Sequence, residues 1–182
     1  TKLRSTSGHW LVNHSSFNGD EYLVLNLTAA KGDTGTEYWN GTMPNSTVFT
    51  LGAGATNNAN SETYIAYCFH SVTGYSKIGS YTGDATTNGS LSVTTGFAPA
   101  FLMIKKTNGV AGWVMVDNTR TPTNPVNKYH YANTNDVEAS GSICNFTSTG
   151  FNLLTNLAGV NTSGGTYIYM AFADKREYAY WL

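Results

Sequence analysis

Eleven carboxylates, four histidines and two cysteines carry most of the reactive chemistry in this 182-residue chain. His9, His14, His70 and His130 show neither His-x-His nor His-x-x-x-His spacing, and Cys68 and Cys144 stand singly. No zinc-type ligand pattern results. Gly74-Tyr75-Ser76-Lys77-Ile78-Gly79 comes near the Gly-x-Ser-x-Gly nucleophile elbow, but it has one residue too many and lacks a strand-to-helix context. It reads as a turn entering a strand. Paired carboxylates could hydrolyse a glycosidic bond. Yet Asp20, Asp33, Asp84 and Asp136 sit beside Gly, Asn or Thr, where Asp caps its own backbone. Glu62 and Asp117, at the ends of strand-like runs, are the remaining candidates. The expectation is a protein that is not an enzyme and uses no cofactor or metal.

Binding chemistry is better represented. Tyr38-Trp39-Asn40 and Tyr129-His130-Tyr131-Ala132-Asn133 lie in long stretches between strand-like landmarks. Aromatic faces stack on sugars and amides pair with hydroxyls, so Tyr38, Trp39, Asn40, Tyr129, His130, Tyr131 and Asn133 are candidate glycan or partner contacts. The same large rings also fill cores and subunit contacts, which stays an open alternative. Trp10 and Trp113, inside strand-like runs, are expected in the core. The apolar end of the chain supplies Tyr178, Tyr180, Trp181 and Leu182 as candidate subunit-docking residues. Seven Asn-x-Ser/Thr sequons are present where composition alone gives about four, so they reflect the abundance of Asn, Ser and Thr.

The elements that must position these residues are strands. The chain carries 26 Thr, 19 Asn, 15 Ser, 19 Gly and 12 Tyr, a vocabulary of pleated surfaces and tight turns. Strand-like runs fall at 9–12, 22–27, 48–51, 63–69, 98–106, 113–117, 127–131, 142–146, 151–154 and 166–172. The run at 63–69 is apolar on both alternating faces, which favours a sheet covered on both sides. Asn108-Gly109 suits a hairpin between the runs at 101–106 and 113–117. Helix signals are nearly absent beyond one possible turn at 136–139.

The runs also repeat. Trp10-Leu11-Val12 matches Trp113-Val114-Met115, and the run at 64–69 matches 167–172, both 103 residues apart. Ser46-Thr47-Val48-Phe49 matches Ser148-Thr149-Gly150-Phe151 one residue off that spacing. The reading is all-β: two tandem antiparallel β-sandwich-like modules from an internal duplication, at 1–74 and 75–182. The second is preceded by the strand-like run 96–106, the first only by Thr1-Lys2-Leu3-Arg4. The first module is therefore expected to take its leading strand from a longer array or from another chain. Cys68 and Cys144 fall at non-equivalent places, so repeat symmetry predicts no disulfide.

Composition narrows the partners. Charged residues make up 12% of the chain and the net charge is −1. Scattered Lys and Arg cannot track a phosphate backbone, which argues against nucleic acid. No apolar run approaches the roughly 20 residues of a membrane-spanning helix.

The runs at 64–69, 74–83, 95–106 and 163–173, with Gly112-Trp113, resemble a poorly characterised module of bacteriophage virion proteins. These proteins are frequent in phages of marine cyanobacteria and often labelled tail-fibre-like. The resemblance covers nearly the whole chain except 175–182. It implies localisation in the virion, as a fibre, appendage or decoration component that assembles with itself or with other particle proteins. The alternative is a host-surface glycan-binding adsorption module.

Overall fold

A computed structural model describes residues 1–174, so the docking candidates Tyr178, Tyr180, Trp181 and Leu182 lie outside the described residues. The chain divides into two compact units, Thr1–Cys68 and Phe69–Leu182. The division falls six residues before the boundary expected from the repeat. Both units are antiparallel and almost entirely β.

The second unit holds eight strands: β6 (Ser76–Thr82), β7 (Ser92–Thr94), β8 (Pro99–Lys106), β9 (Trp113–Asp117), β10 (Val126–Tyr131), β11 (Ala139–Thr147), β12 (Gly150–Leu153) and β13 (Thr166–Ala173). They form one sheet in the order β6-β13-β8-β9-β10-β11-β12-β7. Period-two alternation aims one apolar set inward. Ala171, Leu102 and Val116 face each other across three strands, as do Tyr169, Ile104 and Val114, and all are buried. Each such aliphatic side chain contributes about 1.5–3 kcal/mol by leaving water. The sheet coils into a near-barrel. Tyr81 of edge strand β6 stacks on Tyr167 at 5.0 Å and meets Phe151 of β12 edge-on at 6.2 Å. Its hydroxyl donates to the Val160 carbonyl at 2.6 Å. The two ends of the sheet thus share one core, and a single coiled sheet stands where facing sandwich layers were expected.

The buried Asn161 fixes the loop that leaves β6. Its Oδ1 accepts from the Asp84 N–H at 2.8 Å, and its Nδ2 donates to the Thr86 carbonyl at 2.9 Å. Gly79 in β6 lies opposite Tyr169, where an added Cβ would come 2.7 Å from the tyrosine oxygen.

The first unit holds β1 (Lys2–Leu3), β2 (Leu11–Val12), β3 (Glu21–Val24), β4 (Gly32–Asp33), a one-turn helix α1 (Ala55–Asn58) and β5 (Tyr64–Ile65). β2, β3 and β4 form one sheet and β1 pairs with β5; a single bridge joins Lys2 to Trp10. Its core gathers Leu11, Val24 and Trp39, with Tyr22, Tyr38 and Leu51 against them. Trp113 of the second unit is buried, while Trp10 is only half-buried and stacks on Tyr67 at 6.1 Å.

Three expectations change. The run at 48–51 is no strand, because the Asn45 side chain accepts from the Thr47 and Val48 N–H groups and makes a turn there. The turn at 136–139 is not helical; among the described residues the one helix is α1. Asn108-Gly109 does join β8 to β9, but neither residue takes positive φ. The Asn108 side chain instead bridges to the Gly164 carbonyl and the Thr166 N–H.

Two predictions follow from this packing. Tyr81→Ala should destabilise the second unit by about 3–5 kcal/mol in urea unfolding, since it deletes a ring shared by both ends of the sheet. His14, buried against Phe17 in the first unit, has its pKa pushed down to about 4 by burial. The unfolded imidazole takes its proton near pH 6.5 and the folded one resists until about 4. The contribution is therefore full above pH 6.5 and is lost as pH falls toward 4. His14→Gln should flatten the fall in melting temperature across that window.

Candidate functional site

Most large apolar side chains of the second unit are inside, which makes the exposed ones informative. Phe69, Val72 and Tyr75 are 57%, 40% and 49% exposed. They stand on a turn that the sequence builds tightly. The Val72 and Ser76 backbones bond each other in both directions at 3.0 Å, and Gly74 takes φ +70°, a conformation that favours glycine. The buried Ser76 hydroxyl donates to the His70 carbonyl at 2.8 Å. The Ala173 N–H of β13 donates to the Tyr75 carbonyl at 2.8 Å and anchors the turn to the sheet. Phe69 and Tyr75 each sit 6.1 Å from the Phe172 ring, with Phe101 of β8 a further 6.3 Å from it. Rigid backbone thus displays an aromatic patch.

Beside the patch lies an open depression of about 500 Å³, lined by Ala100, Phe101, Asp117, Asn118, Arg120 and Asp174 among others. Asp117 Oδ1 accepts the backbone N–H groups of Thr119 and Arg120, while Oδ2 accepts the Arg120 guanidinium at 2.6 and 2.7 Å. Burial acts to raise its pKa. The hydrogen bonds and charge from Arg120 outweigh that, and the carboxyl is held below its ordinary value. A carboxylate so engaged is a poor proton donor. Asn118 Nδ2 donates to Asp174 at 2.9 Å, which leaves amide, guanidinium and carboxylate groups beside an aromatic wall.

The structure disperses the other candidates. Trp39 is 3% exposed in the first unit's core, and Tyr38 packs edge-on against Tyr22 at 4.8 Å. Asn40 is exposed at a turn where it and Gly41 both take positive φ. Tyr129, His130 and Tyr131 lie on β10 rather than in a loop, with Tyr129 and Tyr131 packed against the second unit's core. Asn133 accepts the Trp113 N–H at 2.7 Å, and His130 lies 3.8 Å from Glu138. Glu62 accepts the Ser5 hydroxyl within the first unit. Cys68 is exposed, Cys144 is buried, and both are free thiols; burial pushes the Cys144 pKa well up. Among the described residues no group of three or more His, Cys, Asp and Glu comes together to hold a metal. No helix among them is long and apolar enough to cross a membrane, which leaves β-barrels unaddressed.

The fold and this surface define an all-β protein whose described surface offers a display of aromatic rings and a shallow polar depression. A family model described as a domain of unknown function, DUF7483, matches residues 1–176, and the chain belongs to that family. Comparison with curated proteins and with solved structures finds no match.

The patch was missed because Phe69 reads as the last residue of the alternating run at 63–69 and Tyr75 as part of a turn, and nothing local brings either beside Phe172. Asp117→Asn should cost about 1–2 kcal/mol at pH 7 by weakening the Arg120 pair. The folded carboxyl has the lower pKa, so its contribution is present above the unfolded value of 3.8 and lost below it. Wild type and variant should draw together in urea unfolding as the pH is taken progressively below 3.8.

Proposed function

We propose that this chain is a non-enzymatic structural component of a bacteriophage virion, a fibre, appendage or decoration element, acting by assembly with itself or other particle proteins. The observation that carries the reading is the pair of exposed rings Phe69 and Tyr75 at a braced turn, set against the half-buried Phe172, with Phe101 beyond it. Exposed contiguous aromatics of this kind mark protein contacts, because burying them against a partner releases water from large apolar faces.

Assembly from repeated modules is supported by strand register. Lys2 pairs with Trp10 and with Ile65, and Leu3 pairs with Tyr64; adding 103 to every number gives Lys105 with Trp113 and Ile168, and Lys106 with Tyr167, which are the pairs of the second unit. The β2–β3 pairs Leu11–Val24 and Val12–Leu23 correspond to Val114–Tyr131 and Met115–His130, with four more residues in the second loop. The β3–β4 pairs Glu21–Asp33 and Tyr22–Gly32 correspond to Lys128–Ser140 and Tyr129–Ala139. A side-chain clamp repeats as well. The Tyr64 hydroxyl donates to the Ala55 carbonyl and accepts the Ala59 N–H; the Tyr167 hydroxyl does the same with Ala158 and Thr162, again 103 residues on. A shared plan at this detail supports an internal duplication.

A second reading, binding of a host-surface glycan, draws on the depression at Phe101, where Asn118, Arg120 and Asp174 could meet sugar hydroxyls beside a ring.

Light scattering at two protein concentrations tests the assembly reading. The wild-type chain should form oligomers that grow with concentration, and Phe69→Ser with Tyr75→Ser should shift the mass toward the monomer while the circular dichroism spectrum holds. A wild-type monomer at both concentrations would sink the reading, and retained glycan-array binding in that case would favour the second.

A further inference from the structure

Three of the chain's four methionines fall in one transverse row of the second unit's sheet. Strand register sets Met170 of β13 opposite Met103 of β8, Met103 opposite Met115 of β9, and Met115 opposite His130 of β10. Residues paired in this way point to the same face, with Cβ atoms about 4.5–5.5 Å apart. Their neighbours along the strands, Leu102, Ile104, Val114, Val116 and Ala171, are buried in the core, so alternation puts the row on the outer face. All four side chains of the row are half-buried there. Branched aliphatic residues thus fill the inner face of β8 and β9, while thioethers stand outside. Methionine is unbranched, with three rotatable bonds and a polarizable sulfur, so side chains on adjacent strands can converge.

His130 ends the row with a nitrogen donor. Its Nε2 lies 3.8 Å from Glu138 Oε2, and Glu138 Oε1 lies 3.7 Å from Lys128 Nζ. A carboxylate behind one ring nitrogen orients a ligating imidazole and leaves the other nitrogen to the metal. The row itself contains no carboxylate. Lys105, two residues from Met103, donates to the Ala111 carbonyl at 2.9 Å in the hairpin beyond. We propose that Met103, Met115 and His130 form a binding site for a soft monovalent cation, copper(I) or silver(I). Thioether sulfur selects such ions, whereas calcium and magnesium take oxygen ligands. A neutral ligand set suits a single positive charge, and Phe101 and Trp113, two residues away along the same strands, add an apolar surround on that face.

The test uses the full chain carrying Cys68→Ser, because the exposed Cys68 thiol would capture the same ions, with methionine methyls isotope-labelled for NMR. Silver nitrate should shift the Met103 and Met115 methyl resonances to saturation at a single silver ion per chain, and native mass spectrometry should show that single adduct. Met43, in the first unit, should stay in place. Met103→Leu, Met115→Leu and His130→Gln should each weaken silver binding at least tenfold while the circular dichroism spectrum holds. Leucine keeps the volume and apolar surface of methionine, so a loss on that exchange belongs to the sulfur and not to packing. No methyl shift up to millimolar silver overturns the proposal. So does a Met43 shift parallel to the other two, or unchanged affinity in any of the three variants. Zinc chloride should move none of these methyls, and a zinc response equal to that of silver overturns the assignment to a soft ion.

Discussion

An antiparallel sheet has two edges, and what happens to their unpaired N–H and C=O groups governs the rest of this molecule. In the second unit the answer is curvature. Eight strands coil until β6 and β12 share a core, and Tyr81 is the side chain that makes the meeting worthwhile, because one ring touches Tyr167, Tyr169 and Phe151 and its hydroxyl is satisfied by Val160. Burial of that ring raises the Tyr81 pKa well above its ordinary value, reinforced by Tyr167 and Cys144. The shift favours the neutral hydroxyl that donates to Val160.

The strands with dense β-branched and aromatic content were legible from the residues alone. β9 falls at 113–117 as expected, and β8, β10, β12 and β13 lie within two residues of their expected ends. The losses have physical reasons. β6 carries Ser76, Gly79 and Ser80, poor strand formers in isolation, and is held by seven register pairs to β13 that no local pattern reveals. β7 is three residues long and pairs with β12 across a wide sequence gap. Conversely, Val48 and Phe49 look like a strand, but the Asn45 side chain offers their backbone a local alternative and no partner strand competes for it.

The chemistry was legible in a different sense. Asp33 and Asp84 accept backbone N–H groups two residues on, Gly35 and Thr86, which is the turn role their neighbours implied. The aromatic candidates behaved less simply. Trp39 and Tyr131 have the composition of a binding loop, but Trp39 is buried in the first unit's core and Tyr131 packs against that of the second. What remains for recognition is set by backbone constraint: Tyr75 is outside because a Gly74 turn and the anchored Ser76 leave it no inward path.

The two units share one side-chain clamp and differ in what covers it. In the second unit the β6 tyrosine Tyr81 stacks on the clamp tyrosine Tyr167 and meets Phe151 of β12, and β6 gives β13 its second ladder. In the first unit the Tyr64 hydroxyl makes the same kind of clamp, donating to the Ala55 carbonyl and accepting the Ala59 N–H, while β5 pairs with β1 at Tyr64 and Ile65 and Tyr67 stacks on Trp10. The clamp is thus made by hydrogen bonds local in sequence in both units, whereas the cover over Tyr167 comes from a strand that lies far from it in the chain.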